Sequence, residues 1–296
     1  MLSWQVGSVK VVRVGEQLGP SSFELKTFFR DIDRDVFDSY LDQMPGQYSL
    51  ETDRHVSSIH SWLIATDKQK ILVDCCCGNH KERPDRPRFH QLNTDYLSQL
   101  QAAGAEPQDI DIVLCTHLHA DHVGWNTRLE NGTWVPTFPN AKYLCSDRDD
   151  QRFNPSRNAA IERERAMIYN DSVLPIAESG QLVLVSGNHE IDSRMIVEPA
   201  PGHTPGHVLL KLRDDGEHGL FSGDILHHVF QIFRPELNSS FCEDQQAARI
   251  TRRKVLDYCV EKDALLFPTH FAAPFVVRVS RDAGGFVPRF VSGQEA

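Results

Sequence analysis

One short apolar segment limits what this chain can become by the way it ends. Ile110 to Cys115 reads as a buried strand and runs directly into Thr116-His117-Leu118-His119-Ala120-Asp121-His122. Three imidazoles and a carboxylate crowd into six residues, from His117 to His122, a density that an ordinary solvated loop has no reason to carry. Residues two apart in extended backbone point to the same side, so His117 and His119 aim at one place. Asp121 and His122 follow where the chain can turn into a helix. One loop thus offers two imidazoles to one point and a carboxylate with an imidazole to another. These are ligand types that a divalent ion such as Zn²⁺ accepts.

Three further apolar runs end in the same manner. Met195 to Val197 leads to Pro201-Gly202-His203, Leu220-Phe221 leads to Ser222-Gly223-Asp224, and Ala264 to Phe267 leads to Pro268-Thr269-His270. Loops at strand ends are where α/β folds gather functional groups. Adding His203, Asp224 and His270 to the first loop brings the donors to seven, too many for one tetrahedral ion. The set suits two ions, three His on one, two His and an Asp on the other, with Asp224 free to bridge.

Composition narrows the partners. The chain has 296 residues and a formal net charge of −10, which disfavours phosphate backbones, so no nucleic-acid partner is expected. Bound cations would offset part of that charge locally. No apolar run approaches a membrane span, and Phe271 to Val279 is short and interrupted by Pro274 and Arg278, so no membrane partner is expected either. The opening residues carry no basic segment followed by an apolar one, and the expected location is the cytoplasm. The seven cysteines, with Cys75, Cys76 and Cys77 adjacent, do not resemble a secreted disulfide framework and read as reduced, packed thiols. The expected partner is a small molecule, with a homodimer left open.

Strand-like runs alternate with helical ones in both halves, which argues α/β with helices covering sheets. Val9–Val14, His60–Ala65 and Lys70–Asp74 read as strands. Helical spacing runs through Phe23–Met44, which Pro45-Gly46 ends, and through Thr94–Ala103, Pro155–Tyr169 and Glu243–Lys262. No Pro/Gly/Ser-rich linker divides the chain, so residues 1–296 read as a single domain with helical insertions near 20–46 and 147–175. The charged stretch Asp147–Arg165 reads as a solvated face. GxSxG, Walker A and GxGxxG patterns are all missing, which removes support for serine hydrolase, nucleotide hydrolase and dinucleotide dehydrogenase readings.

The run Thr116–His122, with its HxHxDH pattern, resembles the signature of the metallo-β-lactamase superfamily. His203, Asp224 and His270 are similar to that family's remaining ligands in order and local context. The resemblance covers nearly the whole chain. It implies an αβ/βα sandwich: two mixed β-sheets face to face, helices outside, metals at one edge. The run Pro201-Gly202-His203-Thr204-Pro205-Gly206-His207 is closest to the dizinc lactonase and organophosphate-hydrolase branch. By that resemblance His117, His119 and His203 hold one metal, Asp121, His122 and His270 hold the other, and Asp224 bridges. The implied cofactors are two divalent ions, Zn²⁺ first, with Mn²⁺, Fe²⁺ or Co²⁺ as alternatives. The implied activity is hydrolysis of a lactone or carboxylic ester, with a thioester or organophosphate triester as alternatives on the same site. A mononuclear iron dioxygenase of the persulfide type is a further reading, and one that needs fewer ligands.

Homoserine-lactone lactonases usually place a Tyr three residues past the bridging Asp; here that residue is His227, whose imidazole can donate to a developing oxyanion. His227 and Asp121 are therefore the expected catalytic residues, Asp121 as a proton carrier. His207 repeats the Pro-Gly-His context but reads as a supporting histidine. His228, next to His227, is not expected to face the metals as well. Asp74, at a strand end, reads as an orienter of a ligand. Phe23, Phe28, Phe29, Trp125, Phe230 and Phe233 are candidates for an apolar substrate wall, each more simply read as core.

Overall fold

Two long strands set the frame, Val9–Pro20 and Arg54–Ala65, paired antiparallel with Val11 opposite Ile64 and Val12 opposite Leu63. Alternate side chains leave opposite faces of a strand, and here both faces are apolar. Trp62 and Ile64 point to one buried cluster, Val12 and Leu63 to another. A strand of this kind must be covered on both sides. The structure, a computed structural model, describes residues 1–295.

The first sheet runs in the order Leu182–Val185, Lys142–Ser146, Ile112–Leu114, Lys70–Val73, Arg54–Ala65, Val9–Pro20, Leu2–Val6, Gln294–Glu295, with Tyr48–Ser49 added beside Arg54–Ala65. The second runs His189–Glu190, Met195–Pro199, Val208–Asp214, Glu217–Gly223, Leu265–Pro268, Val276–Asp282, Gly285–Val291. The sheets face each other across a core in which Trp4 meets Trp62 edge to face at 5.5 Å and Phe221 stacks on Phe267 at 4.7 Å. The Trp62 indole N–H donates to the Pro268 carbonyl at 3.2 Å, which satisfies its one polar atom. Outside the first sheet lie the helices Tyr96–Ala102, Arg163–Ser172 and Leu174–Glu178. Outside the second lies Gln245–Lys262, capped by the Asp244 carboxylate on the Gln246 and Ala247 N–H groups. This is the expected αβ/βα sandwich.

Lys70–Val73, Ile112–Leu114 and Lys142–Ser146 are parallel neighbours, as are Glu217–Gly223 and Leu265–Pro268. Parallel strands finish at the same edge of a sheet. That places Asp74, His117, Asp224 and His270, each just past the end of its strand, at one rim of the sandwich.

Three expectations are corrected. Phe23–Met44 is not one helix but the short helices Leu25–Phe28 and Arg34–Asp38 and a 3₁₀ turn at Leu41–Gln43. The Asp33 side chain accepts from the Val36 N–H and starts a second helix, while the apolar positions serve different surfaces, Phe23 on a cavity and Phe37 in the core. Pro155–Tyr169 is helical only from Arg163 onward. Asp147–Arg165 is not uniformly solvated: Asp149 and Asp150 are buried. Asp150 accepts from the Tyr169 hydroxyl at 2.6 Å and pairs with Arg157 at 2.6 Å. Asp149 accepts from the Gly206 N–H at 2.7 Å and the Thr204 hydroxyl at 2.9 Å, fastening the loop that carries His203. Among the described residues no helix is long and apolar enough to cross a membrane.

Candidate metal centre

The seven expected donors converge. His119 Nδ1 lies 3.0 Å from His117 Nε2 and 3.0 Å from His203 Nε2. Asp224 Oδ2 closes this group, 3.6 Å from His117 Nε2 and 3.2 Å from His203 Nε2. The other carboxylate oxygen, Asp224 Oδ1, faces a second group, 3.3 Å from His122 Nε2 and 3.0 Å from His270 Nε2. Asp121 completes it, with one oxygen 3.7 Å from His122 Nε2 and the other 3.7 Å from His270 Nε2. Asp224 therefore stands between the two groups with one oxygen turned to each.

For three of the rings, His270, His122 and His117, the far side fixes which nitrogen carries the proton. A carbonyl oxygen only accepts, so His270 Nδ1 donates to Ser58 O at 3.0 Å and leaves the Nε2 lone pair toward the centre. His122 Nδ1 donates to Asp74 Oδ2 at 2.9 Å, with the same consequence. The Thr116 hydroxyl gives its proton to Asp74 and so accepts from His117 Nδ1 at 3.1 Å. Asp74 also accepts from the Thr116 N–H at 2.8 Å. This one buried carboxylate sets the tautomers of two of the histidines, directly for His122 and through Thr116 for His117. Asp74 sits at φ +59°, the left-handed region that Asp tolerates.

The chain makes room for this packing. Gly223 has φ +49°, and a Cβ there would lie 2.6 Å from His207 Nε2 and 2.8 Å from the Thr116 hydroxyl. His207 is the supporting histidine expected: its Nε2 accepts the Asp224 backbone N–H at 3.0 Å. The triple cysteine also gains an account. Cys75 N–H donates to the His122 carbonyl at 2.6 Å, and Cys75 and Cys76 carbonyls accept from Trp125 and Gly124 at 2.7 and 2.8 Å. The segment is a brace lying against the ligand loop, and a Cβ at Gly124 would collide with the Cys77 carbonyl. All three thiols are buried and free, as are the other four cysteines, and burial pushes those of Cys75, Cys76 and Cys77 well above the usual thiol value.

The electrostatics fit a pair of divalent ions. Burial drives His117, His119 and His203 well toward the neutral form that ligates, His119 to about 3. Burial opposes charge on His122 and His270 too, but the surrounding carboxylates, Asp224 foremost with Asp121 and, for His122, Asp74, together outweigh it and raise both. Burial likewise opposes the Asp224 charge, and the surrounding imidazoles overcome it and hold the carboxyl well below its ordinary value. His122 Nε2 and Asp224 Oδ1 are buried without a hydrogen-bond partner. Such orphaned donor atoms, facing each other inside a His and Asp shell, are what a cation satisfies.

Above the donors opens a cavity of about 300 Å³ that reaches His119, Asp121, His203, Asp224, His227 and His270. His227 Nε2 is 3.2 Å from Asp224 Oδ2, and its ring lies parallel to that of His270 at 5.9 Å. Burial lowers its pKa and Asp224 offsets part of that, so the neutral ring is favoured. His228 turns away, its Nε2 donating to the Gln47 carbonyl at 2.9 Å. Of the six candidate aromatics only Phe23 and Phe28 line the cavity. Trp125 instead stacks on Tyr96 at 5.2 Å and donates to the buried Glu16 carboxylate at 2.6 Å, and Phe29, Phe230 and Phe233 are core. The sequence reading missed His55, Phe89, Phe241 and the arginines Arg86, Arg88 and Arg165 in the wall. They stand far from the ligand motifs in the chain and share no spacing that would group them. In particular, cationic side chains line the cavity above the centre, although no Lys/Arg cluster borders its motifs in sequence.

Comparison with known proteins agrees with this architecture. The family model described as metallo-beta-lactamase superfamily matches residues 56–270. The chain belongs to that superfamily. Its fold matches a structure described as the hydrolase AbOPH of the beta lactamase superfamily, at 24% identity and TM-score 0.81 over 99% of this chain and 98% of that one. It also matches AidC, described as a dizinc quorum-quenching lactonase in complex with a homoserine product, at 22% identity and TM-score 0.76 over 99% and 98%. Among curated proteins, YobT of Bacillus subtilis, described as uncharacterized, is 28% identical over 50% of this chain and 54% of its own length. The exodeoxyribonuclease WalJ of Streptococcus pneumoniae is 26% identical over 50% of this chain and 57% of its own. The chain thus aligns with only about half the length of these curated relatives.

Proposed function

We propose that the protein hydrolyses lactones or carboxylic esters with two divalent ions, one held by His117, His119 and His203, the other by Asp121, His122 and His270, and both by Asp224. One observation carries the reading: the two oxygens of the buried Asp224 face two separate donor groups. When bound, such a pair supplies a water that loses its proton near neutral pH and a Lewis acid for the carbonyl. The chain's own residues do the rest. Asp74 and Ser58 hold the rings of His122 and His270 so that their lone pairs face inward. Asp121, the most exposed of the donors' carboxylates, takes a proton and passes it to the leaving oxygen. The neutral His227 donates its N–H to the oxygen that gains charge. Phe23 and Phe28 exclude water from one wall. The product of an opened lactone is a hydroxy acid.

Two readings stand beside it. Thioesters and organophosphate triesters present comparable electrophiles to the same donors. A mononuclear iron enzyme would leave the second donor group without a task, and that group is complete. We further propose that the site takes a small molecule rather than nucleic acid, because a cavity of about 300 Å³ lies at the small end for ligand sites.

The test is a panel of lactones, aryl esters, thioesters, phosphotriesters and single-stranded DNA, assayed with metal-reconstituted protein and again after chelation. Lactones or aryl esters should turn over fastest, and chelation should abolish turnover. Metal-dependent cleavage of DNA with no ester or lactone hydrolysis would overturn the reading.

A further inference from the structure

Arg88 sits on a 3₁₀ turn, Pro87–Phe89, in the wall of the cavity. Its Nε donates to Gln17 Oε1 at 3.1 Å, one terminal nitrogen to the Ser57 hydroxyl at 2.7 Å, and the other to the Ser57 carbonyl at 3.0 Å. Gln17 in turn donates to the Arg88 carbonyl at 3.0 Å, so side chain and backbone are clamped together. A guanidinium has five N–H donors; these bonds use one on each nitrogen and leave one free on each terminal nitrogen. All three acceptors are neutral, and among the described residues no acidic side chain forms an ion pair with Arg88.

Its neighbours differ. Arg86 pairs with Glu164 at 2.9 Å and Arg165 pairs with Glu243, so those charges are already answered. Of the three, only Arg88 has no carboxylate within ion-pair distance, and a half-buried charge without such a partner is costly for a fold to retain without a use. It also stands close to the centre. Ser57 precedes Ser58, whose N–H donates to the His270 carbonyl at 3.0 Å and whose carbonyl orients the His270 ring. Burial lowers the Arg88 pKa, and the nearby Cys77 and Asp121 offset part of that.

We propose, building on the hydrolase reading above, that Arg88 is the anchor for a carboxylate on the substrate, so that the preferred substrates are esters or lactones that carry a free carboxylate away from the scissile bond. A carboxylate fits better than a polyphosphate because one rigid, singly charged fork matches two oxygens. Phe23, Phe28 and Phe241 supply the apolar wall that the intervening chain of such a substrate would cover.

The test compares 4-nitrophenyl hydrogen adipate with its methyl ester, which replaces the charge by one methyl group, using metal-reconstituted wild type, Arg88→Gln and Arg88→Lys. A charge-assisted hydrogen bond is worth roughly tenfold or more in affinity. Wild type should therefore favour the acid by about tenfold in kcat/KM, expressed in KM. Arg88→Gln should bring the ratio near one, and Arg88→Lys should restore part of it. The ratio cancels any general loss, and metal content and unfolding temperature identify a variant that fails to fold. A wild type indifferent to the charge, or an Arg88→Gln variant that keeps the preference, would overturn the anchor. Should neither ester be hydrolysed, the ester reading itself falls. The anchor is then decided by NMR titration of metal-stripped protein with monomethyl adipate. Wild type should bind it about tenfold tighter than dimethyl adipate, and equal binding would overturn the proposal.

Discussion

Asp74 touches no substrate, yet its replacement by Asn should disable the centre. The carboxylate accepts from the Thr116 N–H on one oxygen and from His122 Nδ1 on the other, at 2.8 and 2.9 Å, with the Thr116 hydroxyl between. Asn offers one acceptor oxygen where two are needed. If that oxygen serves Thr116, the amide N–H₂ meets His122 Nδ1 and forces the ring to the other tautomer, whose Nε2–H points at Asp224 and no longer ligates. If the amide flips, the buried Thr116 N–H faces another donor and is stranded, at about 1–3 kcal/mol. Loss of a partner that orients a ligand typically costs 10–100-fold in metal affinity, roughly 1.4–2.8 kcal/mol. Asp74→Asn should therefore fold, lose the metal held by Asp121, His122 and His270 first, and bind it 10–100-fold more weakly. Competition with a graded chelator, read by metal analysis, measures this. An Asp74→Asn protein that holds both ions as tightly as wild type would refute the role given to Asp74.

Two other variants separate chemistry from folding. His227→Ala should keep its metals and fold while losing on the order of 10²–10³ in kcat on the best substrate, and a loss of only a few-fold would return His227 to simple packing. Lys81 is buried against Trp134, bonded to Thr127, and near Asp171, which Arg83 already pairs at 2.7 Å. Burial lowers its pKa to about 7 from 10.5, so the folded state binds fewer protons than the unfolded one between those values. Stability should rise with pH across that window, by about 2 kcal/mol from pH 7 to 9 relative to Lys81→Met. Parallel denaturant titrations of the two proteins at both pH values check the sign.

What the sequence made legible is local. His117, His119, Asp121 and His122 declare themselves because one turn carries all four, and His203, Asp224 and His270 because each ends an apolar strand. Periodicity also located the Gln245–Lys262 helix within two residues, since one stripe of it faces one sheet. It failed at Phe23–Met44, where apolar spacing is helical but Phe23 serves the cavity and Phe37 the core, so the chain must bend between them. It failed again at Asp149 and Asp150, whose burial depends on partners as distant as Gly206 and Tyr169. Arg88 was invisible for the same reason: its meaning lies in Ser57, Gln17 and an absent carboxylate, none of which spacing encodes. The Cys75-Cys76-Cys77 run became intelligible only when its backbone was seen bracing the His122 turn.

The central claim is that Asp224 joins two ions. The most direct measurement is elemental analysis of protein stripped by chelator, reloaded with excess Zn²⁺ and desalted, with His270→Ala beside it. The account predicts close to two equivalents for wild type and close to one for His270→Ala, whose loss falls on one donor group only. A wild-type value that stays at one after reconstitution, unchanged by His270→Ala, would contradict it.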